Sequence, residues 1–102
     1  MVTLTNKVVI ITGASSGIGR ACAIEFARKG AAVVLAARRV EKLERLYEEI
    51  SSFNQKCLTC KTDVTLEDQV VHLFEQTRQH FGRIDILVNN AGRGLKSEIT
   101  AI

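Results

Sequence analysis

Apolar runs alternate with amphipathic stretches along the whole chain. Four short runs rich in Val, Ile, Leu and Ala predict β-strands at residues 7–12, 32–37, 56–62 and 84–88. The first of these runs is almost continuously apolar, which is typical of a strand covered on both faces. The stretches between the runs have apolar residues at helical spacing and predict three helices, from the glycine-rich turn at 13–19 to about residue 29, over residues 40–52, and from about residue 65 to residue 82.

The same spacing predicts which face of each helix is buried. The predicted buried residues are Ile18, Cys22 and Phe26 in the first helix, Leu43, Leu46, Tyr47 and Ile50 in the second, and Val70, Phe74, Thr77 and Phe81 in the third. Thr65, followed three residues later by Asp68, predicts a capping box at the start of the third helix. Gly30 and Gly82 are placed to end the first and third helices.

Strands that alternate with helices of this length indicate right-handed crossovers and a parallel sheet. The predicted fold class is therefore α/β, a Rossmann-type doubly wound parallel sheet with strand order 3-2-1-4, which binds ligands beyond the carboxyl ends of its strands. In this order the fourth strand lies at an edge, although its sequence is that of an interior strand. We therefore expect residues 1–102 to be the N-terminal portion of a longer single-domain protein, poorly soluble and inactive by itself.

The composition of the chain excludes several classes of protein. The 102 residues are 46% hydrophobic and 25% charged, which excludes a disordered chain. The net charge is +3, and the basic residues are scattered along the chain and do not cluster. Four Phe and one Tyr are the only aromatic residues, so no nucleic-acid-binding surface is expected. No apolar run is long enough to span a membrane, and the N-terminus lacks the pattern of a secretory signal, so we expect a cytoplasmic protein without a membrane partner.

A Cys-x-x-Cys pair at Cys57 and Cys60, followed by His72 and His80, raises the alternative of a zinc site. The gap between the histidines is seven residues, where a zinc finger has three to five. The cysteines also fall on a predicted strand, three positions apart, so their side chains point to opposite faces. We therefore expect no metal, buried or half-buried thiols, and histidines on a helix surface.

The first strand is followed by Thr-Gly-Ala-Ser-Ser-Gly-Ile-Gly at residues 12–19. Gly13 permits a tight turn, while Gly17 and Gly19 lack side chains that would block a ligand or the packing of helix against strand. Free amides at a helix start suit a diphosphate. The G-x3-G-x-G spacing is not that of a P-loop. The candidate cofactor-binding residues of this turn are Gly13, Ser15, Ser16, Gly17, Ile18 and Gly19.

Together with Asp63-Val64 and with Asn-Asn-Ala-Gly at residues 89–92, this turn resembles the short-chain dehydrogenase/reductase family. The resemblance covers residues 7 to about 95. It implies that Asp63 hydrogen-bonds the adenine of a nicotinamide dinucleotide, with the backbone of Val64 beside it. It also implies that Asn89 braces the sheet and that three residues line the ribose side, namely Asn90, Ala91 and Gly92. Taken without the resemblance, Asp63 could be a turn residue and Asn89-Asn90 a turn dipeptide.

The end of the second strand bears on the choice of cofactor. A site that selects NAD places an acid there to accept from the ribose 2′-hydroxyl. Here Ala37 is followed by Arg38 and Arg39, and a guanidinium matches a phosphate in charge and donor geometry. We expect NADP rather than NAD, with Arg38 the main residue, Arg39 a lesser one, and Ser15 adding a hydroxyl. The alternative is that both arginines flank an exposed helix start.

The resemblance implies hydride transfer between the nicotinamide and a small-molecule carbonyl or alcohol, assisted by a serine, a tyrosine and a lysine. No catalytic residue can be assigned, because Tyr47 is the only tyrosine and Ser51, rather than lysine, stands four residues later. Relatives are often homo-oligomers, and we expect the same when the protein is complete. The alternatives are a non-catalytic nucleotide-binding or regulatory module and an unrelated doubly wound protein, such as a flavodoxin-like domain.

Overall fold

The computed structural model describes residues 3–90 and 98–102. Its elements in chain order are β1 (Val8–Thr12), α1 (Gly17–Arg28), β2 (Ala32–Ala37), α2 (Val40–Ser51), β3 (Cys57–Lys61), α3 (Glu67–Phe81), β4 (Ile86–Asn89) and β5 (Glu98–Ala101). The four predicted strands and three predicted helices are all present, and their ends fall within about two residues of the predicted ones.

The strands form one sheet in the order β3-β2-β1-β4-β5. The first four are mutually parallel, which confirms the Rossmann-type arrangement and the predicted 3-2-1-4 order. The fifth strand was not predicted. It pairs antiparallel with β4, with Ile99 opposite Val88, and so occupies the edge of β4 that the sequence left open. The β-branched Ile99 and Thr100 suit this extended conformation.

Helices cover both faces of the sheet, as a doubly wound fold requires. On one face, α1 and α2 pack against alternate strand residues, including Val9, Val33 and Leu35. On the other face, Leu73 of α3 packs against the intervening residues, including Ile10. Because β1 and β2 are buried along their whole length, they form the rigid centre of the molecule.

The predicted buried faces of two helices need correction. Ile18 is 57% exposed and Tyr47 is 39% exposed, so neither belongs to the core. The buried residues of α1 are instead small ones, Gly19, Ala23 and Ala27. Small side chains let this helix lie close to the sheet. The larger Cys22 and Phe26 are only partly buried and pack against the same core cluster. In α3, the fully buried residues are Leu73 and Thr77, while the predicted Val70, Phe74 and Phe81 are half-buried.

The predicted capping box at Thr65 is wrong. The residue that precedes α3 is Leu66, and it makes no side-chain capping hydrogen bond. Thr65 therefore lies one position before the cap, and its hydroxyl donates to Asp63 Oδ1 at 2.6 Å. The helix end was predicted correctly, since Gly82 has φ 82° and its N–H bonds Arg78 O.

The cysteines face opposite sides of the sheet, as the strand alternation predicted. Cys57 belongs to the cluster under α1 and α2, and Cys60 to the cluster under α3. Burial raises the pKa of the Cys57 thiol to about 12, so it is protonated and unreactive at neutral pH. His72 and His80 are exposed on α3. Within residues 3–90 and 98–102, no three His, Cys, Asp or Glu side chains are grouped as metal ligands, and no helix there is long and apolar enough to cross a membrane.

At the amino end of the sheet, Asp85 ties β1 to the segment that leads into β4. Its Oδ2 accepts from Val8 N at 2.8 Å, and its own N–H donates to Val8 O at 2.9 Å. Arg83 donates to Oδ1 from Nη2 at 2.7 Å and from Nε at 3.1 Å. The hydrogen bonds from Arg83, helped by the Val8 N–H, hold the pKa of Asp85 below its ordinary value despite partial burial.

We therefore predict that Asp85 stabilises the fold above its unfolded pKa of about 4. Because the folded pKa is depressed, this contribution is lost as the pH falls through the folded value. Asp85→Ala leaves the Val8 N–H without an acceptor and should lower the free energy of unfolding at pH 7 by about 1–3 kcal/mol. Urea unfolding followed by circular dichroism between pH 7 and pH 3 measures both effects.

The matched control is Glu75→Gln, which removes an exposed carboxyl from the middle of α3. The difference in stability between wild type and Asp85→Ala should shrink towards pH 3, while the Glu75→Gln chain should follow the wild type closely. A difference that is independent of pH would contradict the assigned role of the Asp85 charge.

Candidate functional site

A cleft of about 510 Å³ opens beyond the carboxyl ends of β1, β2 and β3. This is where a doubly wound sheet binds its ligand, between the turns that leave neighbouring strands. The lining residues lie at or shortly after the carboxyl ends of the four parallel strands, in the turns, in the last residue of β2 and in the first turn of α2: Gly13, Ser15, Ser16, Ala37, Arg38, Arg39, Lys42, Thr62, Asp63, Val64, Thr65 and Asn90.

The glycine-rich turn leaves β1 in a conformation that two glycines make accessible. Gly13 has φ 61° and Gly17 has φ 53°, both in the left-handed region that side chains disfavour. The Ala14 N–H donates to Ala36 O at 3.1 Å, which fixes the turn against the end of β2. Ser15 and Ser16 then line the cleft.

No acidic side chain in the first turn of α1, and no capping side chain at Ser16, compensates the positive end of the helix dipole. Ser16 precedes the helix in an extended conformation and makes no side-chain capping bond, and the first turn contains no acidic residue. The first amides of a helix have no acceptor one turn earlier, and they carry the positive end of the helix dipole. Such an end favours an anion. Gly17, Ile18 and Gly19 form this first turn, next to the cleft-lining Ser16.

The two glycines at the start of α1 meet different requirements. A Cβ added at Gly19 would collide with the Gly13 carbonyl oxygen and would lie 2.7 Å from Asn90 Nδ2. Gly19 is therefore required by packing between helix and turn. A Cβ added at Gly17 would meet nothing within 4 Å, so the space above this residue is open to a ligand and only its positive φ favours glycine.

Thr12, the last residue of β1, joins the glycine turn to the end of β4. Its buried hydroxyl donates to Asn89 Oδ1 at 3.0 Å and accepts from Asn90 N at 2.9 Å. The side chain of Asn90 lies 3.4 Å from the Gly13 carbonyl oxygen, measured from Nδ2. Asn89 thus braces the sheet, as expected from the family resemblance. The role of the Thr12 side chain was missed, although a polar residue that ends an otherwise apolar strand is a signal for it.

Asp63 lies in a tight turn after β3 that holds its carboxylate in place. Its Oδ1 accepts from both the backbone N and the hydroxyl of Thr65, at 3.0 and 2.6 Å. Its own N–H donates to Gln69 Oε1 at 2.7 Å. The two bonds from Thr65 lower the pKa of Asp63, and the positive charge of Arg38 adds to this effect. The carboxylate is therefore ionised at neutral pH, with Arg38 near it.

Three cations follow β2 and line the same cleft. Arg38 and Arg39 were predicted from the sequence, but Lys42 was not. All three side chains are exposed, whereas Ala37 just before them is buried. The sequence signal for Lys42 was a third cation only four residues beyond Arg38.

Most of the candidate residues thus gather around one cleft. The structure brings eight of them to its lining: Gly13, Ser15, Ser16, Arg38, Arg39, Asp63, Val64 and Asn90. Ala91 and Gly92, which the resemblance also assigned, lie outside the described residues. The arrangement offers amides and cations to phosphates and a fixed acceptor to a base.

Comparison with known proteins agrees with this arrangement. The short chain dehydrogenase family profile matches residues 7–101. An oxidoreductase of Listeria innocua is 47% identical over 100 residues, which are 98% of this chain and 40% of the relative. The chain therefore spans well under half the length of this relative. It belongs to the short-chain dehydrogenase family.

Solved structures share the fold at similar identity. The 3-ketoacyl-(acyl-carrier-protein) reductase of Brucella melitensis, complexed with NADH, matches with TM-score 0.83 and 41% identity over 92% of this chain and 37% of its own. The L-sorbose reductase of Gluconobacter frateurii, complexed with NADPH and L-sorbose, matches with TM-score 0.84 and 41% identity over 91% of this chain and 36% of its own. Both forms of the nicotinamide cofactor thus occur among structures similar to this chain.

The packing at the start of α1 predicts that Gly19→Ala is strongly destabilising. The added methyl group meets backbone atoms, which cannot move aside without displacing the turn, so we expect a loss of about 1–3 kcal/mol in the free energy of unfolding. The amide resonances of Gly13 and Asn90 should also shift. Urea unfolding and two-dimensional NMR of the folded fraction measure these effects.

The control is Gly82→Ala at the end of α3. Gly82 has a positive φ of 82°, and its added Cβ would meet nothing within 4 Å, so this variant carries only the conformational cost of about 1 kcal/mol. Gly19 does not have a positive φ, so its loss of stability reports the contact with Gly13 and Asn90, and a loss no larger than that of Gly82→Ala would contradict the packing role of Gly19.

Proposed function

We propose that this chain binds a nicotinamide dinucleotide in the cleft, with NADP(H) preferred over NAD(H), as the cofactor-binding portion of an oxidoreductase. The single observation that carries the preference is the charge at the end of β2, where the cleft is lined by Arg38, Arg39 and Lys42 and by no acidic residue of that segment. An acid at this place would accept from a ribose 2′-hydroxyl and repel a 2′-phosphate.

Each turn around the cleft supplies one part of the binding. The free N–H groups in the first turn of α1 donate to the diphosphate oxygens, since no side chain there competes for them. Asp63, already fixed through Oδ1 by Thr65, presents its carboxylate to the adenine. Arg38 donates from its guanidinium to the phosphate on the adenosine ribose, and Ser15 adds a hydroxyl. Asn90, with the undescribed Ala91 and Gly92, lines the side of the other ribose.

When bound, the nicotinamide ring supplies hydride transfer, so the reaction is the interconversion of a small-molecule carbonyl and an alcohol. None of the described residues is a catalytic candidate: Tyr47, the only tyrosine, is on α2 and does not line the cleft. We propose that the catalytic groups, the substrate pocket and the surfaces for a homo-oligomer belong to the complete enzyme, which acts in the cytoplasm. A regulatory module that binds the dinucleotide without catalysis would lack those groups throughout.

The cofactor preference predicts the effect of Arg38→Asp. The change removes a phosphate donor and adds a carboxylate that repels the phosphate and accepts from a 2′-hydroxyl. We expect the affinity for NADPH to fall by at least about tenfold, an estimate that allows for the exposure of the site, while the affinity for NADH is kept or improved. Isothermal titration of the complete enzyme with each dinucleotide measures the ratio.

Arg45→Asp is the matched control, because Arg45 is an exposed arginine of α2 that does not line the cleft. It should leave the ratio of the two affinities unchanged. If the complete wild-type enzyme binds neither dinucleotide, the proposed function is wrong. If it binds both and Arg38→Asp leaves their ratio unchanged, the assignment of the phosphate to Arg38 is wrong.

A further inference from the structure

We infer that Gln69, a residue of α3 outside the cleft lining, is a positioning residue for adenine recognition, because its amide oxygen holds the turn that presents the Asp63 carboxylate. This role rests on the proposed function and deepens it, since it acts through the contact proposed between Asp63 and the adenine. Gln69 itself touches no part of the cofactor in this proposal.

The backbone of Asp63 is held on both sides of the residue. Its N–H donates to Gln69 Oε1 at 2.7 Å, and its carbonyl oxygen accepts from Leu66 N at 3.0 Å. Thr62, the residue before it, is still attached to the sheet, since its N–H donates to Ala37 O at 2.9 Å. The hydrogen bond to Gln69 thus fixes the first backbone N–H after the chain leaves the sheet.

Gln69 can fix this N–H because its helix is anchored to the sheet. It is the third residue of α3 and lies one turn before Leu73, which is fully buried in the same cluster as Ile10. A glutamine at the third helical position can reach back to the N–H of the residue that precedes the helix. Here that residue is Leu66, whose N–H already bonds Asp63 O, so the Gln69 side chain reaches three residues further, to Asp63 itself.

The orientation of the Asp63 carboxylate decides what it can bind. Both hydrogen bonds from Thr65 go to Oδ1, and no residue that the structure describes donates to Oδ2, which leaves this oxygen to a ligand. The lowered pKa keeps the carboxylate ionised at neutral pH, so it only accepts hydrogen bonds. The only hydrogen-bond donor on the adenine base of a nucleotide is its exocyclic amino group. This amino group is therefore the part of the base that Asp63 recognises.

Loss of the Gln69 acceptor should act on this recognition and not on the phosphates. Hydrogen bonds weaken steeply outside a narrow range of distances and angles, so a small rotation of the turn moves Oδ2 out of reach of the amino group. The proposed phosphate contacts come from the start of α1 and from the residues after β2, which do not depend on the turn after β3.

The test compares NADPH with its hypoxanthine analogue, which has a carbonyl oxygen in place of the adenine amino group. Dissociation constants of both are measured by isothermal titration of the complete enzyme at neutral pH. Gln69→Met and Gln69→Ala remove the acceptor with different changes in volume, whereas Gln69→Glu keeps it. Asp63→Asn replaces one carboxylate oxygen with an amide donor, which suits the carbonyl of the analogue.

Gln76→Met is the matched control. Gln76 is a half-buried glutamine of the same helix, seven residues further along, and its side chain makes no hydrogen bond with any residue that the structure describes. Circular dichroism verifies that every variant is folded.

We expect the wild-type enzyme to prefer NADPH to the analogue by about tenfold, the contribution of a charge-assisted hydrogen bond reduced by solvent exposure. Gln69→Met and Gln69→Ala should weaken NADPH by about three- to fivefold and the analogue by less than about twofold, so that the preference narrows. Gln69→Glu and Gln76→Met should keep the wild-type preference, and Asp63→Asn should abolish it.

Equal weakening of both ligands by Gln69→Met and Gln69→Ala would show that the hydrogen bond only stabilises the fold, which overturns the inference. No weakening, or a loss of folding in both variants, overturns it as well. If Asp63→Asn abolishes the preference while the two variants retain it, the proposed function stands without the role of Gln69. If Asp63→Asn leaves the preference unchanged, or the wild type has none, the contact between Asp63 and the adenine is wrong and the inference fails with it. If the complete wild-type enzyme binds neither NADPH nor NADH, the proposed function itself fails.

Discussion

The close approach of Gly19 to the Gly13 carbonyl oxygen is the constraint on which the rest of the site depends. It brings the first turn of α1 directly against the turn that leaves β1, with no side chain between them. Asn90 contacts the same place, and the Thr12 hydroxyl joins β1 to the residue pair at the end of β4. The direction of the helix amides is thereby set by backbone packing, which is stiffer than a side-chain contact.

Electrostatics in the cleft follow from this packing. The first turn of α1 lies on one side of the cleft, next to the lining residue Ser16. Three cationic side chains line the cleft after β2, and the carboxylate of Asp63 lines it after β3. Asp63 is already held by Thr65, so it does not need to be ordered when a ligand arrives. The cations are exposed and are not fixed in this way. In the proposed function, binding should therefore order the exposed cationic side chains at an entropic cost, while the carboxylate proposed to accept from the base is preorganised.

The sequence predicted the elements and the strand order well because both depend on regular patterns. An apolar run such as that of β2 is typical of a parallel strand with both faces covered by helices, and a glycine at the end of a helical pattern, such as Gly82, is a common helix terminator. The prediction for Ile18 was wrong because helical spacing alone cannot show that small residues form the contact face. The capping prediction at Thr65 was wrong because the turn at Asp63 shifts the start of α3 by one residue, so that Leu66 occupies the cap position.

Other features were missed because they arise between segments distant in sequence. The hydrogen bonds of Thr12 to Asn89 and Asn90 span more than seventy residues, and they exist only once β1 and β4 are neighbours. The pairing of β5 likewise depends on an open edge beside β4. Lys42 could have been found from its spacing to Arg38, but only the position of the helix start shows that both residues line one cleft.

The residues that hold the site together are buried, whereas the residues proposed to select the ligand are exposed. Thr12 and Gly19 are buried and support the packing of the sheet, so changing them disturbs the fold. Arg38, Arg39 and Lys42 are exposed and contribute nothing to the core. In the proposed function, the choice between a ribose hydroxyl and a ribose phosphate is therefore made by residues that can be replaced at little cost in stability. On this proposal the diphosphate contacts come from backbone amides and the discrimination from side chains that follow a different strand, so one glycine-turn architecture is compatible with both forms of the cofactor.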